Sequence, residues 1–154
     1  MEKISYSKPK LTDIPQMQAI VAKDVESGVI LPRSDDEIAT NIRSYTVAKK
    51  EGVIVGYVAL HIHSMKLAEV RSLIVKEELR GQGVGKELVQ RALKEARELA
   101  VKEVLALTYS KAFFERLGFV EIQKSEIPEH KIWQDCIKCK HFPICNEVAM
   151  MYYL

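Results

Sequence analysis

Apolar residues along this chain follow two different spacings, and the changes from one to the other divide the chain into strands and helices. Short apolar runs and alternating β-branched residues predict seven strands, at residues 3–7, 45–49, 53–63, 67–76, 103–108, 119–124 and 147–154. Apolar residues three and four positions apart predict helices at 12–28, 34–42, 83–100 and 111–117. The predicted order is strand, two helices, three strands, helix, strand, helix and two strands.

Residues typical of helix ends support the helix predictions. Thr12 or Asp13 precedes the first helix, which has Pro15 in its first turn, and Ser34 and Glu37 have the spacing of a capping box. The third helix is expected to bury one apolar face, made of Val84, Leu88, Leu93, Ala96 and Leu99.

Length, composition and charge limit the kinds of protein this can be. The chain has 154 residues, 47% of them hydrophobic, which predicts a single domain over 1–154 with one core. A net charge of +2 with mixed signs argues against a nucleic-acid partner. The longest apolar run, 53–60, is too short for a membrane span, and the first residues lack a signal core. We therefore expect a cytoplasmic protein with no membrane partner.

Residues 80–86, Arg-Gly-Gln-Gly-Val-Gly-Lys, lie between a predicted strand and the long third helix. Glycines let the backbone approach a ligand closely, and the N-terminus of a helix favours an anion. A P-loop is excluded because Arg80 replaces its first glycine and Glu87 its hydroxyl, and Lys86 breaks the dinucleotide fingerprint. A phosphate site remains, with an ordinary glycine-rich turn as the alternative.

The spacing Arg80-x-x-Gly83-x-Gly85 resembles the acetyl-CoA pyrophosphate loop of the GNAT superfamily of N-acyltransferases, and the element order is similar over essentially the whole chain. The resemblance implies an α/β (α+β) fold, with a central, mostly antiparallel mixed sheet flanked by helices. It also implies acetyl-CoA as co-substrate. Backbone groups of Leu73, Ile74 and Val75 would then meet the pantetheine arm and thioester. The pyrophosphate would lie on Arg80, Gly81, Gln82, Gly83, Val84, Gly85 and Lys86.

Two charged residues interrupt the apolar strand 67–76. Glu69 and Arg71 are two positions apart and so share one face, whereas Val70, Ser72 and Ile74 are expected on the other. Some superfamily members place a base glutamate at the position of Glu69, so the resemblance implies a general base acting through water. Arg71 is then expected to hold a substrate carboxylate. A structural ion pair at the sheet surface is the alternative.

The general acid is less clearly marked. Superfamily members often carry a tyrosine four residues before a Gly-Phe pair, where it protonates the departing thiolate, but Phe114 stands at that position here. Tyr109 is therefore the candidate for the acid or for orienting substrate, and a ring packed in the core is the alternative. His61 and His63 share a face of their strand, and a surface-facing pair is favoured over a base or ligand.

All three cysteines lie within ten residues of one another, at Cys136, Cys139 and Cys145, with His141 among them. A zinc site is possible from this set, but His141 follows Cys139 too closely for both to chelate comfortably. A redox dithiol lacks the strand and helix context it needs. We therefore predict no metal and expect the thiols to pack in a turn.

A narrower resemblance covers much of the C-terminal half. Residues 69–73, 107–109, 113–119, 127–128, 131–136 and 147–150, with Cys139, Phe142 and Cys145, are similar to the acetyltransferase domain of the N-acetylglutamate synthase family. Short members transfer acetyl from acetyl-CoA to the α-amine of L-glutamate, the first step of arginine biosynthesis. Longer relatives add a kinase-like domain that binds arginine, and this chain is too short to hold one.

The resemblance implies an enzyme that uses direct attack in a ternary complex, with L-glutamate as the small-molecule substrate. Arg71 with Lys111 or Arg33 would bind its carboxylates. The alternatives are another amino acid, a small amine or a protein N-terminus as acceptor, or a non-catalytic acetyl-CoA-binding module. A homodimer through the apolar last strand is also expected.

Overall fold

The structure is a computed structural model and describes residues 3–28, 30, 32–127 and 147–154. Its strands are β1 Ile4–Ser7, β2 Tyr45–Lys50, β3 Val53–Ile62, β4 Leu67–Val75, β5 Glu103–Thr108, β6 Val120–Ile122 and β7 Val148–Tyr153. Its α-helices are α1 Ile14–Glu26, α2 Asp35–Thr40, α3 Val84–Glu98 and α4 Lys111–Arg116. The order of strands and helices predicted from the apolar spacing is confirmed.

The seven strands form one mixed sheet in the spatial order β1-β2-β3-β4-β5-β7-β6. Strands β4 and β5 are parallel, and every other neighbouring pair is antiparallel. A parallel pair needs a crossover connection, which α3 provides. The predicted fold class, a mostly antiparallel mixed sheet with flanking helices, is confirmed.

Helices cover both faces of the sheet. The larger apolar cluster joins α3, through side chains such as Leu88 and Val89, to β3 and β4. A second cluster joins α1 and α2, through Met17 and Ile38, to the opposite face of β2 and β3. This second face continues toward the polar residues of β3 and β4, which are described below.

Helix ends agree with the local signals at some places and not at others. Ser34 and Glu37 form the predicted capping box, with a bond of 3.1 Å from the Glu37 N–H to the Ser34 hydroxyl. Leu99 was predicted to face inward and is instead 60% exposed. The reason is that α3 ends at Glu98, and the chain then turns through a left-handed Ala100.

The last strand lies inside the sheet. Strand β7 lies between β5 and β6, and on the β6 side it pairs from Ala149 to Met151. Met150 and Met151 are buried, whereas Tyr153 is 58% exposed. The homodimer expected through this strand stays a prediction, and Tyr153 is the part of its apolar surface that faces solvent.

Candidate active site

The parallel strands β4 and β5 separate from one another soon after they begin. They pair only from Leu67 to Glu69 and from Glu103 to Leu105, although both strands lie wholly in the described part of the chain and continue to Val75 and Thr108. The second half of β4 therefore turns backbone N–H and C=O groups toward a gap between the strands. Such groups need hydrogen-bond partners, and an extended ligand can supply them.

A β-bulge shapes the β4 backbone beside this gap. Tyr57 pairs with Ile74 and Ala59 with Arg71, so β4 has one residue more than β3 across this stretch. Ser72 takes a φ of 53°, a left-handed value that is unusual for serine. Backbone strain of this kind is concentrated at active sites. The backbone of Leu73, which we expected to meet the thioester, follows the bulge directly.

The bulge also changes which side chains share a face. Val70 packs in the α3 cluster, whereas Ile74 is buried in the cluster under α1 and α2. The prediction that these two side chains share a face is therefore wrong. An extra residue moves all later side chains to the opposite face, so Leu73 and Val75 pack on the α3 side instead.

The predicted phosphate loop joins β4 to α3 through two left-handed glycines, Gly81 at φ 82° and Gly83 at φ 86°. Gly83 is the N-cap of α3, and the first helical bond runs from the Glu87 N–H to the Gly83 carbonyl. The N–H groups of Val84 to Lys86 thus lie ahead of the helical ladder and are available to an anion.

Side chains tie the same loop to its surroundings. Arg80 Nε donates to the Val75 carbonyl at 3.2 Å, and Gln82 Nε2 donates to the Glu78 carbonyl at 3.3 Å. The Val84 side chain is buried, so only its backbone faces outward. The loop thereby offers chiefly backbone donors, which suits a diphosphate bound through its oxygens.

Glu69 lies at the point where β4 and β5 separate. It is 7% exposed, and its Oε1 accepts from His63 Nε2 at 2.7 Å and from Arg71 Nε at 3.1 Å. Burial by itself raises the pKa of Glu69, but the bonds and charges of His63 and Arg71 together bring that pKa below its ordinary value. Glu69 is therefore a carboxylate at neutral pH.

His63 is not the surface residue that the strand pattern favoured. Its side chain is only 6% exposed because it bonds Glu69, and its ring packs edge-on against His61 with centroids 4.6 Å apart. Glu69 and Arg71 of β4 also form an ion pair, but it is buried and does not lie at the sheet surface. Sequence reasoning named both histidines without predicting this contact, which depends on the register between β3 and β4.

A small, partly enclosed cleft lies on the α1 and α2 side of the same sheet. Its lining residues are Gln18, Val21, Val25, Ile30, Arg33, Ile38, Tyr45, Tyr57 and Ser72. The rings of Tyr45 and Tyr57 meet edge to face with centroids 5.7 Å apart. Burial raises the pKa of Tyr45, and the charges of Arg33 and Arg71 oppose that rise, so both cations act on this ring.

Sequence reasoning found Arg33 but missed the two tyrosines and the role of Ser72 in the lining. The tyrosines carry no motif. Their usable signal was that each ring carries a polar tip and lies in a predicted strand.

The remaining candidates lie after β5. Tyr109 is 44% exposed, so its ring is not packed in the core. Lys111 Nζ forms an exposed ion pair with Glu121 Oε1 at 2.8 Å and does not line the cleft. Phe114, at the superfamily tyrosine position, is buried against Phe119 with ring centroids 5.1 Å apart. A phenylalanine here continues the core.

The cysteine segment, including Cys136, Cys139, His141 and Cys145, lies outside the described residues. Within the described ranges, no group of three or more His, Cys, Asp or Glu side chains is arranged to hold a metal ion. None of the helices in those ranges combines the length and apolar character of a membrane span.

Comparison with known proteins agrees with this geometry. The chain is 39% identical over 142 residues to an uncharacterized N-acetyltransferase of Chlorobaculum tepidum, covering 92% of this chain and 91% of that protein. It is 30% identical over 124 residues to an amino-acid acetyltransferase of Mycobacterium tuberculosis, covering 78% of this chain and 70% of that one.

Solved structures share the fold. N-acetylglutamate synthase from Neisseria gonorrhoeae, complexed with coenzyme A and N-acetylglutamate, superposes with a TM-score of 0.86 at 22% identity over 99% of this chain. The chain spans only 35% of the length of that enzyme. A Mycobacterium tuberculosis protein in complex with CoA gives a TM-score of 0.84 at 24% identity, covering 97% of this chain and 99% of that one.

Residues 14–119 match the Acetyltransferase (GNAT) family, whose acyl donor is acetyl-CoA. This match covers well over half of the chain and includes the separated strands, the bulge and the glycine loop. The chain therefore belongs to the GNAT family and is an acetyl-CoA-dependent acetyltransferase.

Proposed function

We propose that this protein transfers the acetyl group of acetyl-CoA to the α-amine of L-glutamate, as an N-acetylglutamate synthase of arginine biosynthesis. The observation that carries the proposal is the buried Glu69 carboxylate at the branch of β4 and β5, with a cation-bearing cleft on the same side of the sheet. Relatives named amino-acid acetyltransferase support an amino acid as acceptor.

On this proposal, the donor lies along the gap between β4 and β5. Its diphosphate takes the N–H groups at the start of α3, and its thioester lies beside the backbone that follows Ser72. Fixed N–H donors aimed at the oxygen of a reacting carbonyl stabilise the charge that develops there. Holding both reactants in one geometry lowers the barrier further.

Glu69 acts as general base, through a water that bridges it to the substrate ammonium group. The ammonium group loses one proton through the water to Glu69, and its nitrogen then bonds the acetyl carbon. The nitrogen releases its second proton to solvent as the bond from that carbon to sulfur breaks. The departing thiolate takes a proton from Tyr109 or from solvent. The low pKa of Glu69 keeps its carboxyl group ionised at neutral pH, and a general base can act through one bridging water.

The acceptor carboxylates are assigned to Arg71 and Arg33. Arg33 lines the cleft, and Arg71 lies opposite Ala59, whose side chain belongs to the cluster under α1 and α2. A guanidinium binds a carboxylate through two parallel hydrogen bonds, which fixes orientation as well as affinity. Lys111, the other cation considered, is held by Glu121 away from the residues that line the cleft.

The test is an assay of CoA thiol release with a panel of acceptors. L-Glutamate is compared with L-glutamine, L-aspartate, L-arginine and a short peptide, and glutarate serves as the matched control that lacks the amine. We expect the highest kcat/KM for glutamate and no release with glutarate. Release that is independent of glutamate, with another amine clearly preferred, would overturn the choice of acceptor.

A Glu69→Gln variant tests the assigned base in the same assay. General-base catalysis contributes about 10²- to 10⁴-fold to rate, so we expect a loss of kcat within that range. The affinity for CoA, measured by calorimetry, should stay within a factor of three of wild type, a tolerance of about 0.7 kcal/mol. An unchanged kcat would remove Glu69 from the mechanism.

A further inference from the structure

The two hydrogen bonds to Glu69 fall on the same oxygen. His63 Nε2 and Arg71 Nε both reach Oε1, and in the described part of the chain Oε2 accepts no hydrogen bond. No buried polar side-chain atom among the described residues lacks a partner, so Oε2 must be in contact with solvent. Glu69 thus has one oxygen held by the protein and one oxygen that is accessible.

The register between β3 and β4 explains why His63 is the histidine that bonds Glu69. His61 lies directly opposite Glu69, whereas His63 lies diagonally beyond it, and its own N–H bonds the Leu67 carbonyl. Long side chains reach diagonal neighbours across an antiparallel pair. The ring of His61 packs edge-on against His63 and restricts its orientation.

We propose that His63 is a positioning residue for acetyl transfer, holding Oε1 of Glu69 so that Oε2 faces the water that carries the substrate proton. The inference rests on the proposed function, because it takes Glu69 as the base. The terminal torsion of a glutamate side chain is broad, and a second donor from across the sheet restricts it. Arg71 alone approaches from the same strand and leaves the carboxylate plane free to turn.

Among the residues that the structure describes, the charged groups that act on Glu69 are His63 and Arg71. His63 directly follows β3 and has His61 behind it, and Arg71 lies on β4 itself. The β5 residue that pairs with Glu69 is the apolar Leu105. Without the His63 bond, Arg71 is the remaining described group that lowers the pKa of Glu69 against the effect of burial. That pKa should therefore rise, and the acidic limb of the rate profile should move toward neutral pH.

The experiment compares His63→Ala with His63→Gln, because the amide of glutamine supplies an N–H donor without a titrating ring. Ile62→Ala is the matched control, since Ile62 is the neighbouring β3 residue on the opposite face and is 45% exposed. Two readings are taken: the pH profile of kcat with the best acceptor, and the titration of the Glu69 carboxyl carbon by ¹³C NMR with Glu69→Gln as the assignment control.

For His63→Ala we expect the Glu69 titration and the acidic limb of kcat to move upward together. At pH values on that acidic limb kcat should fall about tenfold, the size expected for losing one hydrogen bond to a charged group. KM for acetyl-CoA should not change. His63→Gln should restore most of the rate, and Ile62→Ala should match wild type.

Two results would overturn the inference. A folded His63→Ala protein with an unmoved Glu69 titration would show that His63 does not act on the carboxylate. A titration that moves while kcat stays constant would show that this contact has no role in catalysis. Failure of the proposed function looks different, because the wild type itself would then acetylate no amine while its Glu69 titration still responded to His63→Ala.

Discussion

Gly56 of β3 lies directly against the backbone of Ile74 in β4, so closely that a Cβ on Gly56 would stand 2.8 Å from the Ile74 carbonyl oxygen. Ile74 follows the β4 bulge at Ser72, and Gly56 pairs with the next residue, Val75. This close approach holds the part of β4 that borders the gap between β4 and β5. The φ of Gly56 is not left-handed, so its own torsions do not require a glycine. The close approach of the neighbouring backbone does.

Gly56→Ala should therefore destabilise the protein. Its methyl group meets a backbone oxygen that cannot turn aside, and overpacking of this kind costs about 1–3 kcal/mol. The free energy of unfolding from urea titration measures the effect. An alanine variant as stable as wild type would contradict this prediction. It would mean that β4 moves to make room for the methyl group, and the affinity for CoA should then change.

The two glycines at the start of α3 should respond differently to alanine. Gly83 has a left-handed φ, which costs an alanine about 1–2 kcal/mol. Gly85 does not, and a Cβ there would lie 3.5 Å from Phe113, an ordinary contact. We expect Gly83→Ala to weaken CoA binding about tenfold or more, because the N–H groups at the helix start are reoriented.

Gly85→Ala is the matched partner in that comparison and should keep near wild-type affinity and stability. Calorimetry with CoA and a urea titration give both quantities for each variant. If both variants lost the same affinity for CoA, the left-handed conformation of Gly83 would not be what the phosphate needs.

The pairing of Glu69 predicts how stability depends on pH. Its pKa in the folded state is below the ordinary 4.5, so its contribution is present above pH 4.5 and is lost as pH falls through the folded-state pKa. Glu69→Gln should be less stable than wild type by about 1–3 kcal/mol at pH 7. The difference should shrink in acid. The free energy of unfolding of both proteins, measured from pH 7 to pH 3, tests this. A difference between them that stayed constant would contradict the prediction.

Loss of the Arg33 side chain should weaken binding of the acceptor more than binding of acetyl-CoA. It lines the cleft, and loss of a hydrogen bond to a charged group costs about 1.5–3 kcal/mol, or about tenfold and more in KM for glutamate. Steady-state kinetics of Arg33→Ala test this. Arg43 in the turn before β2 is exposed and does not line the cleft, so Arg43→Ala is the control for lost charge. Equal KM values in the two variants would remove Arg33 from the acceptor site.

Much of the fold, and the glycine loop at the start of α3, could be predicted because their determinants are local. Apolar spacing and end signals within a few residues predicted the element order, and the pattern from Arg80 to Gly85 predicted a glycine loop at a helix start, where the structure has two left-handed glycines. Such features depend on the torsions and helix geometry of adjacent residues. They are present in the sequence before any distant contact forms.

Tertiary structure alone decided the partners of the catalytic candidate and the faces of β4. The bulge at Ser72 exists only because β4 has one residue more than β3 in their pairing, and it moved Ile74 to the opposite face. The bond between His63 and Glu69 depends on the same register. Side chains alternate every residue along a strand, so a change of one residue in pairing reverses their faces, and no local pattern reports that change.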